Sequence, residues 1–207
     1  MRSDPRTMKG PLHRLSPTVA LVIANIVVYV YTGLIGNDFI FTASSVLKTY
    51  GQHSYAVFYA GWWWQLFTSM FVHVSIAHLA SNMLFLLIFG LRAEDLFTSW
   101  EYYLVYFASG ISGNVLSLLY ILYPYPVTSA GASGAIFGLF GAVIIYMRKV
   151  VGGSVVGAIL FAFLFFFITL STGINIYAHF GGLFVGLVMG YWLAKNRIIQ
   201  YTYRVSY

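Results

Sequence analysis

Six long apolar runs divide the chain, and almost no charge falls inside them. They cover residues 18–35, 76–92, 100–123, 133–147, 154–172 and 176–195. A helix needs about 20 apolar residues to cross roughly 30 Å of hydrocarbon. Inside a bilayer each spanning segment must satisfy its own backbone, which leaves helices or a closed barrel. Runs this long and this uniformly apolar fit helices. The expected fold is therefore all-α, a polytopic membrane protein with six transmembrane helices. Composition agrees: 60% of residues are hydrophobic and 8% charged, against about a quarter charged in a soluble domain. There is no cysteine, which removes disulfides, thiol nucleophiles and thiolate metal sites.

The first run follows a basic stretch, as the core of a signal peptide would. It is longer than the usual apolar core of about 7–15 residues, and no small-residue cleavage site follows, so it is expected to be a retained span. Lysine and arginine set the orientation. With the N-terminus inside, the inner segments carry Arg2, Arg6, Lys9, Arg14, Arg92, Arg148, Lys149, Lys195, Arg197 and Arg204, and the outer ones only Lys48. This asymmetry predicts a multi-pass cell-membrane protein with both termini cytoplasmic. It also accounts for the formal charge of +6 without nucleic acid as a partner; the partner it implies is the lipid bilayer. The long connection after the first span contains Phe58, Tyr59, Trp62, Trp63 and Trp64. Such rings favour the membrane–water interface, which predicts a first loop lying on or in the outer leaflet.

With an inside start, the second, fourth and sixth helices all enter from the outer face, so their first turns share one depth. His78 opens the second helix, with Asn82 at i+4 on the same face. Ser133 opens the fourth, and His179 lies about one turn into the sixth. Any one of these alone could be an ordinary interhelical hydrogen-bonder. Four polar groups converging on one level of a membrane point to function. Gly134, Gly138 and Gly141 on the fourth helix, and Gly182, Gly186 and Gly190 on the sixth, form stripes that let backbones approach closely. Stripe packed on stripe brings Ser133 beside His179. The fourth run, 133–147, makes only about 22 Å of helix. Ser133 is therefore expected below the outer surface, in a wet pocket into which the loop PYPVTSAG dips.

A serine hydroxyl becomes a useful nucleophile when a base takes its proton, and a neutral histidine does this near pH 7. Unpaired N–H groups at a helix start suit a developing oxyanion, and His78 and Asn82 could add side-chain donors. The only acids are Asp4, Asp38, Glu94, Asp95 and Glu101, and the topology puts all but Asp38 on the inner side. None is placed behind His179, so a Ser–His dyad is expected. His73, His78 and His179 make a poor metal set, since i to i+5 turns about 140° around a helix and no carboxylate is near. No metal or other cofactor is expected. The tetrapeptide GISG at 110–113 copies the G-x-S-G pattern, but Ser112 lies about 18 Å along the third helix, with no histidine at its level. Below Asn82 and His179 the helices turn apolar, which argues against a transport path.

In combination these residues resemble the rhomboid family of intramembrane serine proteases, over roughly residues 17–196. GASG at 131–134, AHFGG at 178–182 and HLASN at 78–82 carry the resemblance. It implies a rhomboid-like bundle with Ser133 as nucleophile and His179 as base. His78, Asn82 and Ser133 would stabilise the oxyanion. His73 fits a structural loop histidine of some members, and Glu94 a structural acid at the inner end of the second helix. The implied layout is minimal: a basic cytoplasmic segment 1–16, a six-span catalytic domain 17–196 and a short cytoplasmic tail 197–207. Two departures stand out. The family's Trp-Arg pair appears as Trp64-Gln65, and Phe137 replaces a tyrosine of some members, so it can pack on His179 but not donate a hydrogen bond. The resemblance implies hydrolysis of a peptide bond in or near the transmembrane segment of single-pass membrane proteins, at a site open to the extracytoplasmic side. Substrate would enter past the fifth helix, with FAFLFFF at 161–167 as part of a movable wall. A rhomboid-like protein that only binds clients should lack Ser or His, and this chain has both.

Overall fold

The computed structural model describes residues 15–125, 127–168 and 174–205, with side chains described as far as Arg197. Helix α1 (Pro17–Gly36) starts at Ser16, whose side chain accepts the Val19 N–H, with proline in the first turn. It ends at Asn37 in the left-handed region, φ 52°. The connection to the next long helix folds into α2 (Ser44–Tyr50), the two-residue strand β1 (Gln52–His53), α3 (Ser54–Ala60) and the single turn α4 (Gln65–Thr68). Helix α5 (Ile76–Leu96) is capped by Ser75, which accepts the His78 N–H at 3.2 Å. Helix α6 (Ser99–Ser117) opens with a reciprocal capping box between Thr98 and Glu101 and tightens into a 3₁₀ turn, Leu118–Leu122. Strand β2 (Thr128–Ser129), α7 (Ser133–Val150), α8 (Val155–Ile168) and α9 (Ile176–Val205) complete the order.

Among the described residues, five helices are long and apolar enough to cross a membrane: α1, α5, α6 with its 3₁₀ turn, α7, and α9 as far as Arg197. The expected fifth span, 154–172, appears as the 14-residue α8, about 21 Å long; positions 169–172 of that expectation lie outside the described residues. Helix α7 corrects another expectation. It has 18 residues, Ser133–Val150, or about 27 Å, so shortness does not sink Ser133. The apolar pattern ends at Met147 because Arg148 and Lys149 follow; a helix end tolerates such cations because they complement its dipole.

Helix α7 is the hub. Every residue from Gly134 to Val143 is buried, and it packs against α5, α6, α8 and α9. Glycine is what permits the closest of these contacts. A Cβ on Gly182 would run into the Gly134 carbonyl oxygen, and one on Gly186 into that of Gly138. Helix α8 is held more lightly, along a stripe of buried Ala158, Ala162 and Phe166 at i, i+4 and i+8.

The chain between α1 and α5 is anchored from within. Gln65 is fully buried and joins three backbone groups: Oε1 accepts His53 N–H at 2.9 Å, and Nε2 donates to Lys48 O at 2.9 Å and Thr49 O at 3.3 Å. Strand β1 pairs antiparallel with β2, Gln52 opposite Ser129 and His53 opposite Thr128. Gln52 Nε2 donates to Asn114 O, and Asn114 Nδ2 donates to Leu66 O and Ser69 Oγ, which docks the segment on α6. Tyr59 (78% exposed), Trp63 and Trp64 point outward. At the opposite end of the bundle, Glu94 of α5 accepts from Ser16 Oγ at 2.6 Å and Thr18 N–H at 2.7 Å, holding the start of α1. There too, Arg197 of α9 pairs with Glu101 of α6 and donates to Leu96 O and to Tyr146 Oη of α7.

Candidate active site

Ser133 is the first residue of α7, so the helix offers no acceptors to the N–H groups of its first turn. Its position is set by the strand and loop before it. Strand β2 is tied to β1, and Gly131 N–H donates to Ser69 O at 2.8 Å. Gly131 has φ +128°, and a Cβ there would lie 2.8 Å from Cε1 of His78. Glycine is required both for that backbone and for the space the imidazole occupies.

His179 sits one turn into α9 and is 7% exposed. Its Nε2 lies 2.7 Å from Ser133 Oγ, within hydrogen-bond distance. Phe137, one turn along α7, stacks on the imidazole with centroids 4.5 Å apart and planes 28° from parallel. Nδ1 of His179 has no hydrogen-bond partner among the described residues. Asp38 is engaged elsewhere: Oδ1 accepts the N–H groups of Ile40 at 2.8 Å and Phe41 at 3.0 Å, which hold its carboxyl below the usual range.

His78, Asn82, Ser133 and His179 line one cavity of about 320 Å³. Asn82 Nδ2 donates to His78 O at 2.9 Å, so part of the amide is turned onto its own helix. The cavity continues along the bundle between α5, α7 and α8, where Phe85, Phe89, Phe140 and Phe165 form its wall. The FAFLFFF run thus divides: Phe165 faces the cavity, Phe166 is buried, and Phe161 and Phe167 are exposed. Ser112 is not among the cavity residues. Among the described residues, no three His, Asp or Glu side chains are grouped to hold a metal ion.

His73 lies just before α5 and is fully buried. Nδ1 is 3.2 Å from Phe71 O, the ring centroid is 5.2 Å from that of His78, and the His73 carbonyl accepts from Thr42 Oγ1 at 2.6 Å. Burial, reinforced by His78, pushes its pKa down to about 3. A neutral ring wedged between loop and helix fits a structural role.

Sequence reading missed Asn175. It lines the cavity, its Oδ1 accepts Ala178 N–H at 3.0 Å, and its Nδ2 donates to Ser117 Oγ and Ser129 Oγ. The signal was available, since asparagine immediately before an apolar helical run is a preferred N-cap.

A bundle of membrane-length helices with a serine–histidine pair at the head of a partly polar, partly aromatic cavity defines a polytopic membrane protein built around a hydroxyl–imidazole site. Comparison with known proteins gives the family: the Rhomboid domain matches residues 60–196, and the chain belongs to the rhomboid family. It is 41% identical over 103 residues to rhomboid protease GluP of Bacillus subtilis (strain 168), covering 50% of this chain and 20% of GluP. It is 31% identical over 148 residues to putative rhomboid protease YdcA of the same organism, covering 68% of this chain and 72% of YdcA. Rhomboid protease AarA of Providencia stuartii is 31% identical over 152 residues, covering 68% of this chain and 54% of AarA. The chain thus spans a fifth of GluP, about half of AarA and most of YdcA.

Proposed function

We propose that this protein is an intramembrane serine protease that hydrolyses a peptide bond in or near the transmembrane segment of single-pass membrane proteins. The observation that carries this reading is the 2.7 Å approach of His179 Nε2 to Ser133 Oγ inside a cavity; the names of the relatives support it. His179 takes the hydroxyl proton as Ser133 Oγ attacks the substrate carbonyl carbon. The carbonyl oxygen becomes an oxyanion held by the Ser133 N–H, His78 and Asn82. The tetrahedral intermediate collapses, His179 returns the proton to the leaving amine, and water then releases the acyl group by the same base. Preorganised donors of this kind are each worth about 10²–10³ in rate. The pair is read as a dyad, which the absence of a hydrogen-bond partner for His179 Nδ1 among the described residues supports.

The reading includes six spans, the fifth of them built on α8. It places both termini in the cytoplasm and opens the active site to the extracytoplasmic side, in keeping with the bias of Lys and Arg. Substrate must unwind locally to offer a carbonyl, since a helix holds its carbonyls in its own hydrogen bonds. In this reading substrate enters past α8, and the aromatic wall of Phe85, Phe89 and Phe165 between α5 and α8 supports that route.

The purified full chain in detergent should cleave a single-span reporter and be labelled by a fluorophosphonate at Ser133. Ser133→Ala and His179→Ala should each abolish cleavage, while Ser112→Ala should retain it. Full cleavage by Ser133→Ala would refute the nucleophile assignment.

A further inference from the structure

We propose that Asn175 is a positioning residue that sets the spacing between the His179 helix and the Ser133 loop; this rests on the serine-protease reading above. Three separate pieces of chain meet at its side chain. Its Oδ1 accepts Ala178 N–H at 3.0 Å, and its backbone carbonyl accepts His179 N–H at 3.2 Å. Both contacts lock the first turn of α9, the turn that carries the imidazole. Its Nδ2 donates to Ser129 Oγ on β2 and, at 2.8 Å, to Ser117 Oγ at the end of α6. Each acceptor is itself fixed. Ser117 Oγ donates to Gly113 O at 2.8 Å. Ser129 is held opposite Gln52 in the strand pair, four residues before Ser133.

The consequence is geometric. Ser133 hangs from β2, and His179 hangs from the start of α9. The glycine seam sets how closely α7 and α9 pack from Gly134 and Ala178 inward. Asn175 adds a tie ahead of that seam, from the start of α9 to the strand that leads into Ser133. Its side chain bonds neither the Ser133 hydroxyl nor the His179 ring, so it acts on the chemistry through the backbone that carries them. A misplacement of about 1 Å between reacting groups costs on the order of 10²-fold in rate.

The choice of substitution separates positioning from simple helix capping. Asn175→Ser keeps a good N-cap but is too short to reach Ser117 and Ser129. Asn175→Asp keeps the length and the cap but removes the donor to both serine hydroxyls, of which Ser117 is already donating to Gly113 O. Ser129→Ala removes the strand tether and leaves α9 untouched. The experiment measures kcat and KM for reporter cleavage, the rate of fluorophosphonate labelling at Ser133, and the thermal midpoint, using the full chain in one detergent. For Asn175→Ser we expect kcat and the labelling rate to fall together by about 10- to 100-fold, with KM within about twofold. Ser129→Ala and Asn175→Asp should fall in the same direction. Wild-type kcat and labelling in Asn175→Ser, or in a folded Ser129→Ala should Asn175→Ser not fold, would overturn the positioning role. A wild-type labelling rate in Asn175→Asp would also overturn it, because length and cap would then suffice without the amide donor. A wild-type protein that neither cleaves nor labels at Ser133 would instead overturn the protease reading, which the Asn175 comparison cannot do.

Discussion

Phe137 lies flat on the His179 ring at 4.5 Å, where it limits the imidazole to rotations that keep Nε2 near Ser133. A flat apolar partner does this without competing for either ring nitrogen. Phe137→Tyr should therefore keep most of the activity, whereas Phe137→Ala should lower kcat by about tenfold or more through loss of orientation; steady-state reporter cleavage measures both. Gln65 holds its loop by an equally local argument. It stands where the rhomboid resemblance expects arginine, yet its amide satisfies one backbone donor and two backbone acceptors. Gln65→Ala would leave those groups unpaired in a buried setting, at about 1–3 kcal/mol. The expected result is a lower thermal midpoint with the Ser133–His179 chemistry intact in the remaining folded protein.

The decisive element contact is the seam between α7 and α9. Gly182 and Gly186 meet the backbone of Gly134 and Gly138 directly. No side chain can retreat from such a contact, because backbone faces backbone. Dispersion between closely fitted helices replaces the hydrophobic drive that lipid does not supply. Gly186→Val should push the helices apart, destabilise the protein by about 1–3 kcal/mol or more, and lower activity, since the seam also sets the Ser133–His179 approach. Unfolding in detergent, followed together with fluorophosphonate labelling, tests this. Helix α8 contrasts with α9. It meets the bundle through side chains rather than backbone: buried Ala158, Ala162 and Phe166, with the Phe165 ring against Phe85, Phe89, Phe137 and Phe140.

Across the whole molecule the two ends differ in character. One end gathers the cavity, the strand pair and the aromatic loop; the other is stapled by Glu94 on the start of α1 and Arg197 across α5, α6 and α7. Arg197→Ala should therefore lower the thermal midpoint while leaving fluorophosphonate labelling of the folded fraction near wild type. Global stability should also report His73. Its folded pKa of about 3 lies below the unfolded value of about 6.5. The unfolded chain then binds the extra proton between those values, so this contribution is complete above about pH 6.5 and is lost progressively as pH falls toward 3. His73→Phe should flatten that part of the stability–pH curve. Orientation is testable on the same scale, because the chain has no cysteine. In intact cells Tyr59→Cys should react with an impermeant maleimide and Val150→Cys should not.

Much was legible from the chain alone, because lipid makes strict demands. Long uncharged runs became α1, α5, α6, α7 and α9 with starts within about one residue of those expected, and the glycine spacing on the fourth and sixth runs identified the seam. Polar residues stranded in apolar runs, Ser133, His78, Asn82 and His179, stood out for the same reason and share one cavity. The end of α7 was misread because charge at a helix terminus looks like the edge of an apolar run, whereas its dipole accepts that charge. Gln65 and Asn175 were not legible as anchors. Their roles depend on which distant backbone and hydroxyl groups come within 3 Å or so of an amide, and sequence spacing does not encode that. Sequence by itself determined which segments enter the membrane and which polar groups share a depth, since transfer into hydrocarbon acts on each segment separately. Only tertiary structure decided the 2.7 Å approach of Nε2 to Oγ, because that distance is set jointly by helices and strands whose contacts lie far apart along the chain.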